Sequence, residues 1–288
     1  MKISELLLTG KTTVSCELFP PKPGASLGNA KKVVKQIAEL KPSFMSVTCG
    51  AGGDGSQNTI DIAKEVQVVN GIPSLAHMVC VSLDKKTLLT ELDALKNAGI
   101  NNIMALRGDL PPNATTHSGT FRYASDLIEE IHKHGDFSIG GGCYPEGHPE
   151  APSIQKDIEH LKIKVEAGCH FLTTQMFFDN SVLYSFMFRM LKNGVDVPVV
   201  AGIMPVTNAK QIDRIFKLSG GTVLPPRFKS MVDKFQDSPP AMKQAGIAFA
   251  TEQIIDLIAN GVNNIHIYTM NKPEIAKSIM DNLSEIFV

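Results

Sequence analysis

NAGINNI at 97–103, EAGCHFL at 166–172 and ANGVNNI at 259–265 spell one local design three times. In each, a helical stretch ends near a glycine and a short apolar run follows at once. Glycine takes the left-handed conformation that closes a helix at little cost, so each phrase reads as a helix feeding a buried strand. Working outward, period-two or apolar runs predict strands at 12–18, 44–49, 74–80, 102–107, 138–144, 170–176, 197–203 and 263–269. Helical spacing predicts helices at 27–40, 58–69, 84–98, 121–134, 153–167, 180–193 and 208–218. A less regular region follows, with a short helix at 225–235 ended before Pro239-Pro240, a long one at 241–259 and a closing one at 273–285. Eight strand–helix units in one chain favour an α/β fold closed into a (β/α)8 TIM barrel over an open doubly wound sheet. The 288 residues suit one such barrel, spanning 1–288, with additional C-terminal helical segments.

Composition narrows the function classes. Charges nearly cancel, 28 Lys+Arg against 29 Asp+Glu, which argues against a surface built to coat nucleic acid. The N-terminal LLL run is followed directly by polar residues and lacks the continuous apolar segment of a signal peptide. No uninterrupted apolar stretch approaches a membrane span, so no membrane insertion is expected. The five cysteines, at 16, 49, 80, 143 and 169, are odd in number and form no CxxC pair. They read as reduced thiols of a cytoplasmic protein. Four of them fall near strand ends, which keeps a zinc-thiolate methyltransferase as an alternative, although no two are close in sequence.

In a β/α barrel the C-terminal ends of all strands open toward one mouth. Placed there are Glu17, Thr48, His77, Arg107-Gly108-Asp109, Tyr144, Gln175 and Tyr268-Thr269. A packed core needs no acid, imidazole and amide at these ends, so their recurrence on independent strands outlines a site. Glu17 shares the inward face of its strand with Thr13 and Ser15, while Cys16 points away. Partial burial and a neighbouring carboxylate would raise its pKa toward that of a proton donor; an ordinary rim salt bridge is the competing role. Asp109, in LRGDLPPN, is either a turn cap or a contact for substrate and cofactor, and Gly108 permits close backbone approach in both cases. Gln175 can donate and accept at once, as an amide-like heterocycle edge requires, or it can bond a neighbouring loop. Tyr144, opening YPEGHPE, can stack, donate a hydrogen bond or simply anchor its loop. No GxGxxG follows an early strand, and GxxxxGK[ST] and HExxH are absent; AGGDGS at 51–56 matches neither phosphate-loop pattern.

An ordered set of segments sharpens this picture: VSCELFPPK at 14–22, FMSVTCGAGG at 44–53, LAHMVC at 75–80, ALRGDLPP at 105–112, YPEGHPEA at 144–151, TTQMFFD at 173–179, GIMPVTN at 202–208 and IHIYTMN at 265–271. In that order they closely resemble the bacterial-type methylenetetrahydrofolate reductases, over nearly the whole barrel. The resemblance implies bound FAD and reduction of 5,10-methylenetetrahydrofolate to 5-methyltetrahydrofolate in one-carbon metabolism. By that resemblance Glu17 is the acid that promotes opening of the folate imidazolidine ring. Asp109 is a carboxylate near flavin and folate, and Gln175 a folate contact. Thr48, His77, Arg107, Gly108, Asp109, Tyr144, Asp157 and Lys164 fall at cofactor-contact positions. The electron donor it implies is NADH or a partner electron-transfer subunit, and a homo-oligomer is expected. Because the sequence stops soon after the barrel, the long regulatory domain found in some eukaryotic relatives is not expected.

Overall fold

Alternation along each strand separates two layers. On the first, β1 (Thr13–Leu18), Val14, Cys16 and Leu18 join the large apolar layer beneath the helices, while Thr13, Ser15 and Glu17 face the interior. The computed structural model describes residues 1–22, 24–49, 56–109, 119–219 and 222–287. Its other strands are β2 (Phe44–Val47), β3 (Ser74–Val79), β4 (Asn102–Leu106), β5 (Ser138–Cys143), β6 (Phe171–Thr174), β7 (Val199–Ile203) and β8 (Asn264–Ile267). All pair in parallel with their sequence neighbours, and β8 pairs β1, so the sheet closes into the expected barrel. Every predicted strand is present, each trimmed at one or both ends. The trimming matters: Thr48, Arg107, Tyr144, Gln175 and Tyr268 stand just past the last paired residues, on the mouth.

The helices after the strands are α2 (Gly28–Ala38), α3 (Ser56–Lys64), α4 (Lys85–Asn97), α5 (Ala124–His134), α6 (Ile154–Glu166) and α7 (Asn180–Lys192). Three helices, α8 (Gln211–Ser219), α9 (Pro226–Phe235) and α10 (Pro239–Ala259), separate β7 from β8, and α11 (Pro273–Asn282) closes the chain. Gly99, Gly168 and Gly261, the glycines of the three repeated phrases, all have positive φ, at 72°, 112° and 85°. Helix starts use short side chains as acceptors: Asp84 from Thr87 N, Ser153 from Lys156 N and Asp179 from Ser181 N.

Three details depart from the sequence reading. Pro239 and Pro240 open α10 at its first turn, where a missing N–H costs nothing, so α10 starts before the predicted 241. The predicted helix 58–69 changes at Glu65 into a π-helical turn, Glu65–Val69, which carries Gln67 toward Gly99 O and Ser74 N. The third is a helix the sequence reading lacked, α1 (Ile3–Leu7). It seals the N-terminal end of the barrel: Ile3 and Leu7 pack on Phe44, Leu75, Met104, Phe171 and Val200. Asn102 Oδ1 accepts from Ile3 N, and its amide donates to Ser74 O and Met1 O.

Residues 51–55 of the glycine-rich run and Leu110–Asn113 of LRGDLPPN lie outside the described residues. The described helices include none long and apolar enough to cross a membrane.

Candidate active site

With the lower end sealed, the polar groups gather at the upper end of the barrel, where Glu17 is a buried acid on the inner face of β1. The residue is 8 % exposed, and burial pushes its carboxyl pKa up to about 8. At neutral pH it is therefore a carboxylic acid, not the partner of a rim salt bridge. The end of β8 braces it. Thr269 Oγ1 donates to the Glu17 carbonyl at 2.6 Å, and the Asn271 side chain accepts from Phe19 N and donates to Phe19 O. Tyr268 beside it donates its hydroxyl to Thr174 O at 2.6 Å. Its ring fits because position 202 is glycine: a Cβ there would stand 2.6 Å from both the ring and Thr174 O. Burial, then the nearby Glu17, raise the Tyr268 pKa well above that of a free phenol. His77, half-buried on β3, is held down to about 4 by burial, and is a neutral imidazole at pH 7.

A raised carboxyl pKa is also a statement about stability. The unfolded chain releases the Glu17 proton near 4.5, whereas the folded chain keeps it to about 8. Ionisation thus opposes folding; its cost is absent below the lower value, grows between them and is complete above the upper one. In cofactor-free protein, Glu17→Gln is expected to match wild type at about pH 4 and exceed it by roughly 3–5 kcal/mol above pH 8. Urea unfolding at the two pH values measures the difference.

The opposite wall gathers the remaining groups. Arg107 forms a bidentate pair with Glu150, at 2.5 and 2.8 Å, reaching across from β4 to the YPEGHPE loop. Gly108 follows with φ 82°, and Asp109 is exposed at the rim. Tyr144 hydrogen-bonds the Gln175 side chain and meets His148 edge-on at 4.6 Å between centroids. Gln175 Oε1 also accepts from Met176 N. Asp157, 6 % exposed in the first turn of α6, accepts from His148 N at 3.0 Å. Lys164 lies two turns along the same helix and donates to Gly142 O at 2.6 Å. Asp157 thus ties the loop to the helix, and Lys164 ties the helix to β5. Asp157→Ala leaves a loop N–H without its carboxylate and is expected to lower stability by about 1–3 kcal/mol in denaturant titrations. Thr48, half-buried, extends the β1–β2 ladder through its N–H to Leu18 O, and its carbonyl accepts from Thr59 Oγ1.

Between these walls β5 is bare. Gly142 faces the mouth with only Leu106 Cδ2 close to where a Cβ would stand, at 3.3 Å, and both residues are partly exposed. A flat ring system can lie against such a wall. Neutral Glu17, His77 and Tyr268 face it, and the cations Arg107 and Lys164 stand on its flank. Three site groups were absent from the sequence reading: Glu150, Ser46 and His266. His266 shares the inward parity of Tyr268 within NNIHIYT, a signal that was available. Glu150 carried none, because a carboxylate in an exposed loop has no periodicity. Four of the five cysteines, Cys16, Cys80, Cys143 and Cys169, are buried, and burial holds the Cys16 thiol up at about 12, far from a thiolate; Cys49 is half-buried.

A family model described as Methylenetetrahydrofolate reductase matches residues 2–284. The chain belongs to this family, whose members are oxidoreductases acting on tetrahydrofolate. It is 34 % identical over 276 residues to a 5,10-methylenetetrahydrofolate reductase of Pectobacterium carotovorum, covering 96 % of this chain and 91 % of the relative. It is 33 % identical over 300 residues to methylenetetrahydrofolate reductase (NADH) 1 of Arabidopsis thaliana, covering 99 % of this chain but only 50 % of that relative. The chain therefore spans about half the length of the plant enzyme. Among solved structures, an uncharacterized Clostridium thermocellum protein that binds two copies of 5-methyl-5,6,7,8-tetrahydrofolic acid superposes with a TM-score of 0.67. It is 17 % identical and covers 98 % of both chains, a likeness of fold. Within this family member, Glu17 is a buried acid whose carboxyl is held up by burial.

Proposed function

We propose that this protein reduces 5,10-methylenetetrahydrofolate to 5-methyltetrahydrofolate with FAD as its cofactor and Glu17 as general acid. The observation that carries the reading is the Glu17 carboxyl itself: buried, held protonated at neutral pH by burial, and set at the inner edge of the mouth. The residues present fit a flavin. The bare wall at Gly142 and Leu106 suits a flat ring, and Arg107 and Lys164 suit a diphosphate. Thr48, His77, Gly108, Asp109 and Tyr144 surround that space with hydroxyl, imidazole, backbone and carboxyl groups, and Asp157 fixes the loop that carries His148. When bound, reduced FAD supplies the hydride that no amino-acid side chain can supply.

The chain's own part is proton management and positioning. Glu17 gives its proton to the departing ring nitrogen of the folate, so the carbon–nitrogen bond opens and the remaining iminium carbon becomes the electrophile. Gln175 accepts and donates along the edge of the pterin, and Asp109 offers a carboxylate to its amide side. Neutral His77 and Tyr268 keep the floor polar without a charge that would draw the proton off Glu17. Electrons enter from NADH or from a partner electron-transfer protein.

The absorption spectrum of the purified native protein tests the cofactor, and an anaerobic assay with reduced flavin and methylenetetrahydrofolate tests the reaction. A flavin spectrum that reoxidises on adding the folate is the expected result. Stoichiometric zinc with no flavin would overturn the reading in favour of a thiolate methyltransferase.

A further inference from the structure

Below Glu17 the barrel holds a second polar cluster that packing does not require. His266, Ser15 and Ser46 are all buried, the imidazole only 3 % exposed. Its Nδ1 lies 2.7 Å from Ser15 Oγ and its Nε2 3.2 Å from Ser46 Oγ. Phe44 stacks on the ring at 6.3 Å between centroids, and Tyr268 meets it edge-on at 5.3 Å, so the ring is held from both sides. The layer underneath is apolar, built from Phe44, Leu75, Met104, Phe171 and Val200.

Counting protons orients the whole cluster. A serine hydroxyl has one proton, and Ser15 Oγ stands 3.0 Å from the Ile265 carbonyl and 2.7 Å from Nδ1. Both contacts are hydrogen bonds at once only when Ser15 donates to the carbonyl and accepts from Nδ1. In that arrangement Nδ1 carries the imidazole proton, Nε2 presents a lone pair, and Ser46 donates to Nε2. Ser46 is also the register partner of Glu17 on the neighbouring strand, with both side chains inward and backbones about 4.8 Å apart.

We propose that His266 is a positioning residue for Glu17: locked between Ser15 and Ser46, it holds the Ser46 hydroxyl proton away from the Glu17 carboxyl and so keeps that carboxyl in its proton-donating form. A carboxylate is stabilised by each hydroxyl that donates to it, and here the hydroxyl of its register partner is turned elsewhere. An imidazolium would reverse this, because Nε2 would become a donor and release the Ser46 proton toward Glu17. Burial, reinforced by His77, holds His266 down to about 3, so the reversal lies outside the working range. The titratable groups facing the cluster are His77 from β3 and Tyr268 from β8, with Tyr144 beyond Tyr268; all are neutral at pH 7. The charged groups of the cavity, Arg107 paired with Glu150, Lys164 on Gly142 O and exposed Asp109, stand on the opposite wall.

The inference builds on the acid role proposed for Glu17, but two measurements need neither folate nor flavin. Nitrogen-15 NMR of His266 in the cofactor-free protein is expected to show the Nδ1–H tautomer. Isotope-edited infrared titration of Glu17 is expected to shift down by about one pH unit in Ser15→Ala, where Nδ1 loses its acceptor and the proton moves to Nε2. The larger change His266→Leu is expected to give the same shift, and adding Ser46→Ala to either variant to abolish it. In the folate half-reaction the shift reads as about a tenfold loss on the alkaline limb, with rates on the acid side unchanged. His266→Gln, which can donate to Ser15 and accept from Ser46, is expected to restore the wild-type pH profile. An Nε2–H tautomer in the wild type would overturn the proposal, as would a Glu17 titration unmoved by Ser15→Ala. A shifted titration in a protein without folate turnover would support the His266 role while sinking the reductase reading.

Discussion

Glu17→Gln is expected to slow the folate-dependent reoxidation of the reduced protein by about 10²–10⁴-fold, the usual contribution of a positioned general acid. Glutamine keeps the shape and the polarity of the side chain but cannot release a proton to the departing ring nitrogen. Nothing in the Arg107–Glu150, Tyr144–Gln175 or Asp157–His148 contacts depends on Glu17, so cofactor content and its reduction by the electron donor are expected to stay near wild type. Stopped-flow spectroscopy separates the two halves: reduction is followed first, and reoxidation by methylenetetrahydrofolate afterwards. Unchanged reoxidation would remove Glu17 from the chemistry. The same substitution is expected to make the cofactor-free protein more stable at alkaline pH, so a slow variant cannot be dismissed as a misfolded one.

Gly246→Ala should give the largest loss of stability from a single methyl group. A Cβ at 246 would stand 1.9 Å from Val206 O and 2.7 Å from Val206 C, and both are backbone atoms that cannot rotate aside. Here α10 leans directly on the segment leaving β7, beside the cluster of Met176, Phe178, Val206, Phe228, Val232 and Met242. Relief requires moving the helix or the segment, at about 3 kcal/mol, the upper end for overpacked cores. Gly261→Ala is a useful contrast. It has open space but positive φ, and about 1 kcal/mol is expected. Parallel urea titrations of the two variants rank them; a milder Gly246→Ala would mean that α10 shifts freely against β7.

The barrel was legible because its signals are local and repeated. Each strand is a short apolar run after a helix, and the three glycine phrases announce the helix ends that the positive φ values bear out. The mouth residues were legible for the same reason, since a strand's last inward position follows from parity. What escaped was set by the tertiary structure. α1 is five residues long, below the length at which periodicity can be read, and it is helical because it plugs a barrel. The Arg107–Glu150 pair joins residues whose neighbours in sequence predict nothing about each other. The proton order around His266 depends on three strands meeting in one register, β8 with β1 and β1 with β2. Parity alone would have turned His266 inward; only the closed barrel gives it two serines.

The plug at the lower end imposes an order on folding. Ile3 and Leu7 are translated well before two of the residues they pack on, Phe171 and Val200. α1 therefore completes its seat only once those late strands are in place, and contacts of such long sequence separation close late and slowly. Until they close, the barrel stays open at the end opposite its mouth.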